Sequence, residues 1–447
     1  MSNPVLVRKK LGDILEFQRG YDLPSKCRIK GPYPIISSAG FSGWHTEYKC
    51  SGENVVTGRY GTIGEVYYFN GKCWPLNTAL FVKNFKGNVP QYVFYLLKSV
   101  LKINGKDKST VPGVDRNVLH QMIVPFHEDS AYQVDICSVL LTIDRMITQN
   151  SHICSELEAM AKTLYDYWFV QFDFPDENGK PYRTSGGAME WNEKLKRKIP
   201  KGWKIKTIYD ILDIDTTPID PSTLGDMILE HYSIPAFDEN HGPIYQPASE
   251  IGSGKFKVFS DAILVSKLNP QYKRLWDPCY VSQHAVCSTE FIVFRPRKLW
   301  MRPFCFALLD SDAFSAYMVS KAISSTGSRK RIQPDICASF AFALPDELTT
   351  RAFIAMLLPM LEQRKQMQKE TYELESLRNW LLPMLMSGQA VVIDADERAH
   401  SRNITKDKTY YDQRFEKWLQ NRGLAARGEI DSGTLRAIFD SMDDDDK

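Results

Sequence analysis

Four stretches of this chain carry side chains suited to gripping a polyanion or reading hydrogen-bonding edges. Lys106-Asp-Lys-Ser-Thr110 runs into Val111-Pro-Gly-Val-Asp-Arg116, and Ser324-Ser-Thr-Gly-Ser-Arg-Lys-Arg331 is a second polar, basic, glycine-bearing segment. Lysine, arginine, hydroxyl and backbone N–H groups in such loops suit phosphate oxygens. Gly58-Arg-Tyr-Gly-Thr-Ile-Gly64 and Lys267-Leu-Asn-Pro-Gln-Tyr-Lys-Arg274 complete the set. The glycines of the first permit close backbone approach, and Arg59 and Tyr60 extend from it. In the second, Asn269 and Gln271 have the groups that pair with adenine, and Lys267, Lys273 and Arg274 those that pair with guanine. For each stretch the plain alternative is a solvated loop or a hairpin turn.

Bond-making chemistry is harder to find. Asp277-Pro-Cys-Tyr280 approaches the Asn/Asp-Pro-Pro-aromatic motif of adenine methyltransferases but lacks its second proline. Gly252-Ser-Gly-Lys255 lacks the spacing of a phosphate-binding P-loop, and Gly58 to Gly64 lacks that of a dinucleotide fingerprint. The eight histidines show no metal-ligand spacing. No Gly-x-Ser-x-Gly nucleophile elbow occurs. Nuclease carboxylates can be spread widely in sequence, so a catalyst with dispersed residues stays open.

The bulk numbers describe an ordinary globular chain with room for several cores: 447 residues, 43% hydrophobic and 25% charged. The net charge of +2 makes any basic footprint local. Nine scattered cysteines without a Cys-x-x-Cys pair argue against a disulfide framework and for a reduced, cytoplasmic setting. The N-terminus has no signal-peptide core, and no apolar run approaches the ~18 residues of a membrane span, so no membrane association is expected.

The elements that must position these loops occur twice. Leu11-Gly-Asp-Ile-Leu15 returns as Ile208-Tyr-Asp-Ile-Leu212, and Asn77-Thr-Ala-Leu-Phe-Val82 as Ser288-Thr-Glu-Phe-Ile-Val293. Tyr92-Val-Phe-Tyr-Leu-Leu97 returns as Phe304-Cys-Phe-Ala-Leu-Leu309, and Glu156-Leu-Glu158 as Glu373-Leu-Glu375. A repeat of this length is domain-sized. Short β-branched and aromatic runs such as Val55-Val-Thr57 and Glu65-Val-Tyr-Tyr-Phe69 predict strands, and residues 89–100 an amphipathic helix.

Over 131–168, Ile136, Leu140, Ile143, Ile147, Asn150, Cys154, Leu157, Ala161 and Leu164 alternate in steps of four and three. This is a heptad stripe with a polar register-setting position, and it predicts a coiled coil. Residues 348–386 repeat it less cleanly, because Arg364 and Arg378 fall where apolar residues belong. Pro359 and Pro383 are placed near its two ends. The fold class is therefore α+β: two similar mixed α/β domains separated by two long antiparallel helices, with pseudo-two-fold symmetry and the domains at opposite ends. Expected boundaries are 1–128, 129–170 for the first helix, a linker-like 171–203, then 204–347, 348–388 for the second helix, and a C-terminal extension over 389–447. Short helices are expected there at 410–422 and 432–442. The closing Asp443-Asp-Asp-Asp-Lys447 also spells a protease tag, and nothing is read from it.

The ordered blocks resemble the specificity (S) subunit of type I restriction-modification systems. The resemblance spans about residues 8–390. In the first half it rests on Pro34-Ile-Ile-Ser-Ser38, Gly58 to Gly64, Trp74-Pro-Leu-Asn-Thr78 and Val111 to Arg116. In the middle it rests on Leu164-Tyr-Asp-Tyr-Trp-Phe169 and Ile199-Pro-Lys-Gly-Trp203. In the second half it rests on Ser266-Lys-Leu-Asn-Pro270, Cys287-Ser-Thr-Glu-Phe291 and Leu381-Leu-Pro383. The resemblance implies a non-catalytic subunit whose two target recognition domains each read half of a split site in double-stranded DNA. It implies two methyltransferase subunits and restriction (motor-nuclease) subunits as partners. S-adenosylmethionine, ATP and Mg would belong to those partners, and no cofactor or metal to this chain. The helices would set the number of unread base pairs.

The DNA contacts expected in the first half are Arg19, Ser37, Ser38, Arg59, Tyr60, Thr62, Asn77, Thr78, Lys106, Lys108, Ser109, Thr110 and Arg116. In the second half they are Lys267, Asn269, Tyr272, Lys273, Arg274, Ser288, Thr289, Ser328, Arg329, Lys330 and Arg331. The hydroxyl pairs among them serve equally well as backbone caps or turns. Two other classes stay open: a single-chain nuclease or methyltransferase, and a coiled-coil adaptor that does not touch DNA.

Overall fold

The computed structural model describes residues 6–59, 64–104, 115–326 and 329–392. These fall into two compact units, one made of the chain up to Met146 together with the chain from Glu373, the other of Ile147–Tyr372.

In the first unit, β1 (Leu6–Lys10) leads through the short helix α1 (Leu11–Ile14) into β2 (Glu16–Arg19). There follow β3 (Tyr33–Ser37), β4 (Gly40–His45), β5 (Glu53–Gly58), β6 (Val66–Asn70), β7 (Trp74–Pro75) and β8 (Ala79–Asn84). Then come α2 (Pro90–Asn104), α3 (Arg116–Gln121), β9 (Ile123–His127) and the long helix α4 (Ser130–Tyr165). The central strands β3, β5 and β8 are buried over continuous runs of residues, as strands covered on both faces are. The larger sheet has the order β2-β8-β5-β6, and a smaller one the order β4-β3-β7; β1 pairs with β9. In the smaller sheet β3 runs antiparallel to β4 and parallel to β7. The cores form where the sheets face: Ile36, Val56, Cys73 and Phe81 are buried together, and Ile35, Trp74 and Leu76 on the other side of β3.

The second unit repeats this plan. Its strands are β10 (Met189–Asn192), β11 (Arg197–Pro200), β12 (Lys204–Thr207), β13 (Leu212–Asp215), β14 (Pro218–Ile219) and β15 (Ile228–Tyr232). Helix α5 (Ile234–Asn240) precedes β16 (Ile244–Pro247), β17 (Lys255–Lys257), β18 (Ile263–Ser266), β19 (Leu275–Trp276), β20 (Ala285–Ser288) and β21 (Phe291–Pro296). Next come α6 (Arg302–Asp310), α7 (Asp312–Lys321), the hairpin β22 (Ile323–Thr326) and β23 (Arg329–Arg331), α8 (Pro334–Ala338), β24 (Ala341–Leu344) and the long helix α9 (Glu347–Ser387). The sheet β13-β21-β18-β19 matches β2-β8-β5-β6 strand for strand, and β12 pairs with β24 as β1 does with β9. Within the five-stranded sheet, β15 is antiparallel to β16 and parallel to β20, as β3 is to β4 and β7. The duplicated sequence blocks are thus duplicated topology.

Both long helices form, and in each unit a part of one packs antiparallel on a part of the other. In the first unit His127 Nε2 lies 3.0 Å from the Leu385 carbonyl oxygen, while Arg378 Nη1 donates to Asp144 Oδ1 at 2.8 Å. In the second unit Arg364 reaches Glu158 at 3.4 Å, and Tyr165 packs edge-on to Phe353. Asp129 caps α4, its carboxylate accepting from the Ala131 N–H at 2.9 Å. Gly388, at φ +75°, ends α9, and the Gln389 N–H then closes on the Met384 carbonyl at 2.9 Å. The heptad stripe is the buried one: Ile136 and Leu140 are fully buried, and polar Asn150 is buried among them at 7% exposure.

Arg364 and Arg378 stand in the stripe of α9, each opposite a carboxylate, Asp277 at 2.9 Å and Asp144 at 2.8 Å. Two expectations need correction. Pro359 lies well inside α9 and not near its end. It is exposed, so the carbonyl it leaves without a donor faces water. Residues 172–203 are not a linker: Phe172, Phe174, Ile199 and Trp203 belong to the core of the second unit with Trp168, Phe169 and Phe353. Six aromatic rings cannot stay solvated at that density, and they fold the segment back. The extension from residue 393 onward, with its two expected helices, lies outside the described residues. Among the described residues no helix is long and apolar enough to cross a membrane.

Candidate nucleic-acid interface

In the first unit, strand ends bring separated candidates together. β2 ends at Arg19, β3 at Ser37 and β5 at Gly58, and β8 begins just after Thr78. The Arg59 N–H donates to the Thr78 carbonyl at 3.0 Å, and the Ser38 N–H to the Thr78 hydroxyl at 3.4 Å. Arg19 Nε donates to the Asn77 carbonyl at 3.4 Å. Asn77 in turn donates its side-chain amide to Asp22. Close backbone contact holds the cluster: a Cβ at Gly20 would lie 2.1 Å from the Leu76 carbonyl oxygen, so only glycine fits there. Ser37 works as a turn former, accepting from the Ala39 N–H at 3.2 Å and donating to the Gly40 carbonyl at 3.0 Å.

Arg116 lies apart from this cluster. It starts α3, where it and Lys86 depress the basicity of His120, whose main perturbation is burial; Glu16, at the far end of β2 from Arg19, faces the same ring. The His120 ring is thereby neutral near pH 7 and accepts from the Phe17 N–H at 2.9 Å. Tyr60, Thr62, Lys106, Lys108, Ser109, Thr110 and Ser328 lie outside the described residues.

In the second unit the stretch 267–274 is the turn between β18 and β19, and in the first unit Gly58 and Gly64 lie on either side of the gap between the equivalent strands β5 and β6. The basic segment before the last strand is a hairpin, β22–β23, and not a loop. The two dock on each other. The Asn269 N–H donates to the Lys330 carbonyl at 2.7 Å, and the Lys330 N–H returns to Asn269 Oδ1 at 2.9 Å. Asn269 takes a left-handed φ of 49°, a conformation asparagine tolerates better than most residues. Ser288 and Thr289 form the adjoining turn, with the Glu290 N–H donating to Ser288 Oγ at 3.3 Å.

The cations here fall into two groups. Arg274 is held in two hydrogen bonds by Asp238, at 2.6 and 2.7 Å, which strengthens its charge and lowers the Asp238 pKa. Arg331 is gripped by Glu290 at 2.8 Å, and Lys273 by Asp310 at 2.5 Å. These three carboxylates are far away in sequence, and nothing in the spacing of residues announces them. A paired arginine presents little net charge and serves to brace the turn. The Arg329 and Lys330 side chains stand exposed on the hairpin, Tyr272 is 61% exposed, and Lys267 is half-buried. Cations, a ring and amides on one rigid edge have the chemistry to grip phosphates and reach base edges.

The Asp277-Pro-Cys-Tyr280 string is structural. The Asp277 carboxylate is 1% exposed and meets Arg302 at 2.5 Å, Lys365 at 2.8 Å and Arg364 at 2.9 Å. Burial alone would raise its pKa, but the three cations overcome that and hold it below the ordinary value. All nine cysteines are free thiols.

Residues 6–159 match the model of the type I restriction modification DNA specificity domain. The specificity subunit of the type I restriction enzyme MjaIX from Methanocaldococcus jannaschii is 27% identical over 235 residues, covering 46% of this chain and 52% of that protein. The match thus spans about half the length of that curated relative. In fold, the chain is similar to the crystal structure of the type I restriction-modification S subunit from M. genitalium. That likeness has a TM-score of 0.54 at 14% identity, over 86% of this chain and 97% of that one. The first third of the chain thus matches the type I restriction modification DNA specificity domain, and the chain is similar in sequence and in fold to specificity subunits of type I restriction-modification systems.

Proposed function

We propose that this chain is the DNA sequence-recognition subunit of a type I restriction-modification complex. It binds a bipartite site in double-stranded DNA, one half-site per unit, and scaffolds two methyltransferase subunits and the restriction subunits. The chemistry, with S-adenosylmethionine, ATP and Mg, resides in those partners, and this chain carries no catalyst. One observation supports the reading above all: the same strand order recurs in both units, yet the segments joining the equivalent strands differ in sequence. Two copies of one scaffold with different edges suit a site with two different halves.

The test is binding of duplex DNA by the chain assembled with its methyltransferase. The logarithm of the association constant should fall linearly with the logarithm of salt, by about 0.9 per phosphate contact. Methyl transfer from S-adenosylmethionine should require the partner. Transfer by the chain alone would favour a single-chain enzyme, and salt-independent or absent binding by the assembly would favour an adaptor.

The helices would fix the unread gap. Inserting one helical turn into α4 is geometrically mild for a coiled coil. It should change the number of unread base pairs while leaving both half-sites intact. An unchanged gap in methylation mapping would remove this role.

A further inference from the structure

The smaller sheet of the first unit presents an aromatic groove that the corresponding sheet of the second unit covers. Phe41 is 59% exposed and Trp44 48% exposed, and their rings meet edge-on at 5.4 Å. With Pro34, Ile36 and Phe69 they line an open groove, and Lys72 lies at its margin. Tyr33 and Tyr48 continue the surface, with the Lys72 ammonium 4.6 Å from the Tyr48 ring centre.

Register identifies the equivalent positions. Ile36 and Tyr232 both face the core of the larger sheet. Two residues earlier on each strand, Pro34 opposes Trp44 and Glu230 opposes Tyr245. In the second unit this place is filled. Ser282 donates its N–H to Glu230 at 2.7 Å, and Tyr280 packs on Tyr372, which also meets Tyr245. The chain between β19 and β20 supplies that cover, running from Asp277 to His284. Between β6 and β7 only Gly71 to Cys73 intervene, too short to do the same. Helix α5, which joins β15 to β16 and adds Ala236 and Phe237 to the core, is reduced in the first unit to the turn after Ser37.

The surroundings of the groove are basic. Residues 25–50 contain Lys26, Arg28, Lys30 and Lys49 against the single carboxylate of Glu47. Arg28 is placed against β4 by hydrogen bonds of 3.3 Å to the carbonyl and hydroxyl of Ser42. Lys49 lies 4.8 Å from the Trp74 ring centre. The same β3–β4 hairpin carries Ser37 and Ser38, members of the strand-end cluster. Exposed rings edged by cations are the pattern that stacks nucleobases and tracks a phosphate backbone. An intact duplex has no free base faces to offer such rings.

We propose that this groove is a stacking platform for an unpaired nucleobase, with Phe41 and Trp44 as the contacting rings and Lys72 and Arg28 facing the flanking phosphates. The proposal rests on the DNA-binding function above and assigns the platform to the first unit alone.

The experiment uses the full chain assembled with its methyltransferase and two labelled probes: a 16-nucleotide oligo-dT and a duplex bearing the recognition site. Base stacking on an aromatic side chain is lost on alanine substitution at a cost of roughly five- to a hundredfold in affinity per base. Phe41→Ala with Trp44→Ala should therefore weaken oligo-dT binding about tenfold or more while leaving site-duplex binding within about twofold. Trp44→Tyr should restore most of the loss. Both rings are about half exposed, and an unchanged unfolding temperature checks that the double variant is folded. Oligo-dT binding that is absent, or indifferent to the double variant, with duplex binding intact would overturn the platform and leave the function standing; a protein segment in the groove would give that result. Failure of the unsubstituted assembly to bind either probe would overturn both.

Discussion

Asp277→Ala is expected to destabilise the second unit by about 3–5 kcal/mol, the usual consequence of stripping one partner from a buried ion cluster. The carboxylate is almost wholly buried and is the common partner of Arg302, Lys365 and Arg364. Arg364 is itself 5% exposed, so the variant leaves a buried guanidinium with Glu158, at 3.4 Å, and the face of the Phe306 ring to offset it. Asp277→Asn keeps the shape but not the charge and should be damaging for the same reason. The pH dependence has a definite sign. Burial opposes the ionised form, the three cations outweigh it, and the folded pKa lies below the ordinary aspartate value near 3.9. Asp277 therefore contributes stability that is fully present above about pH 4 and disappears as pH falls through the folded value. Urea midpoints should separate the native chain from Asp277→Ala widely at pH 7 and progressively less below pH 4. Equal midpoints at pH 7 would show that the cluster is not holding the unit together.

Replacing both Arg329 and Lys330 by alanine should cost the assembled complex about tenfold in duplex affinity and reduce its salt slope by about 1.8, at 0.9 per phosphate contact. Both side chains are exposed on the β22–β23 hairpin, braced by the exchange of hydrogen bonds between Asn269 and Lys330. Those bonds use the Lys330 backbone, so alanine keeps them. Phosphate contacts carry no sequence information, so the loss should be uniform across base substitutions in either half-site. Arg274→Ala should behave differently. It releases Asp238 from two hydrogen bonds, loosens the β18–β19 turn, and should relax base preference in one half-site only. Competition binding against single-base variants separates the patterns. An unchanged salt slope in the double variant would move the phosphate grip elsewhere.

Much of this molecule is written in its sequence, because duplication shows itself by comparison of the chain with itself. The repeated blocks fall on equivalent strands and helices, and the steps of four and three in 131–168 fall on the buried face of α4. What was not legible depends on contacts between distant residues. Arg364 and Arg378 look like defects in a heptad until Asp277 and Asp144 are seen opposite them. Residues 172–203 are rich in Gly, Pro and charge, and composition outweighed the aromatic residues that fold the segment into a core. In the candidate interface, residue type identifies the cations, but only tertiary structure distinguishes Arg329 and Lys330 from Arg274, Arg331 and Lys273, each already bound to a carboxylate. The aromatic groove has no signature in the chain at all, since it arises where one copy lacks cover that the other has.

Methylome sequencing of cells expressing this chain with its methyltransferase partner bears on all of this at once. The expected result is one motif of two short, different half-sites separated by a fixed number of unread base pairs, with a methylated adenine in each half. Substitutions on the β18–β19 turn should alter one half and leave the other. A single continuous motif, or methylation that appears without the partner, would contradict the division of labour proposed for the two units.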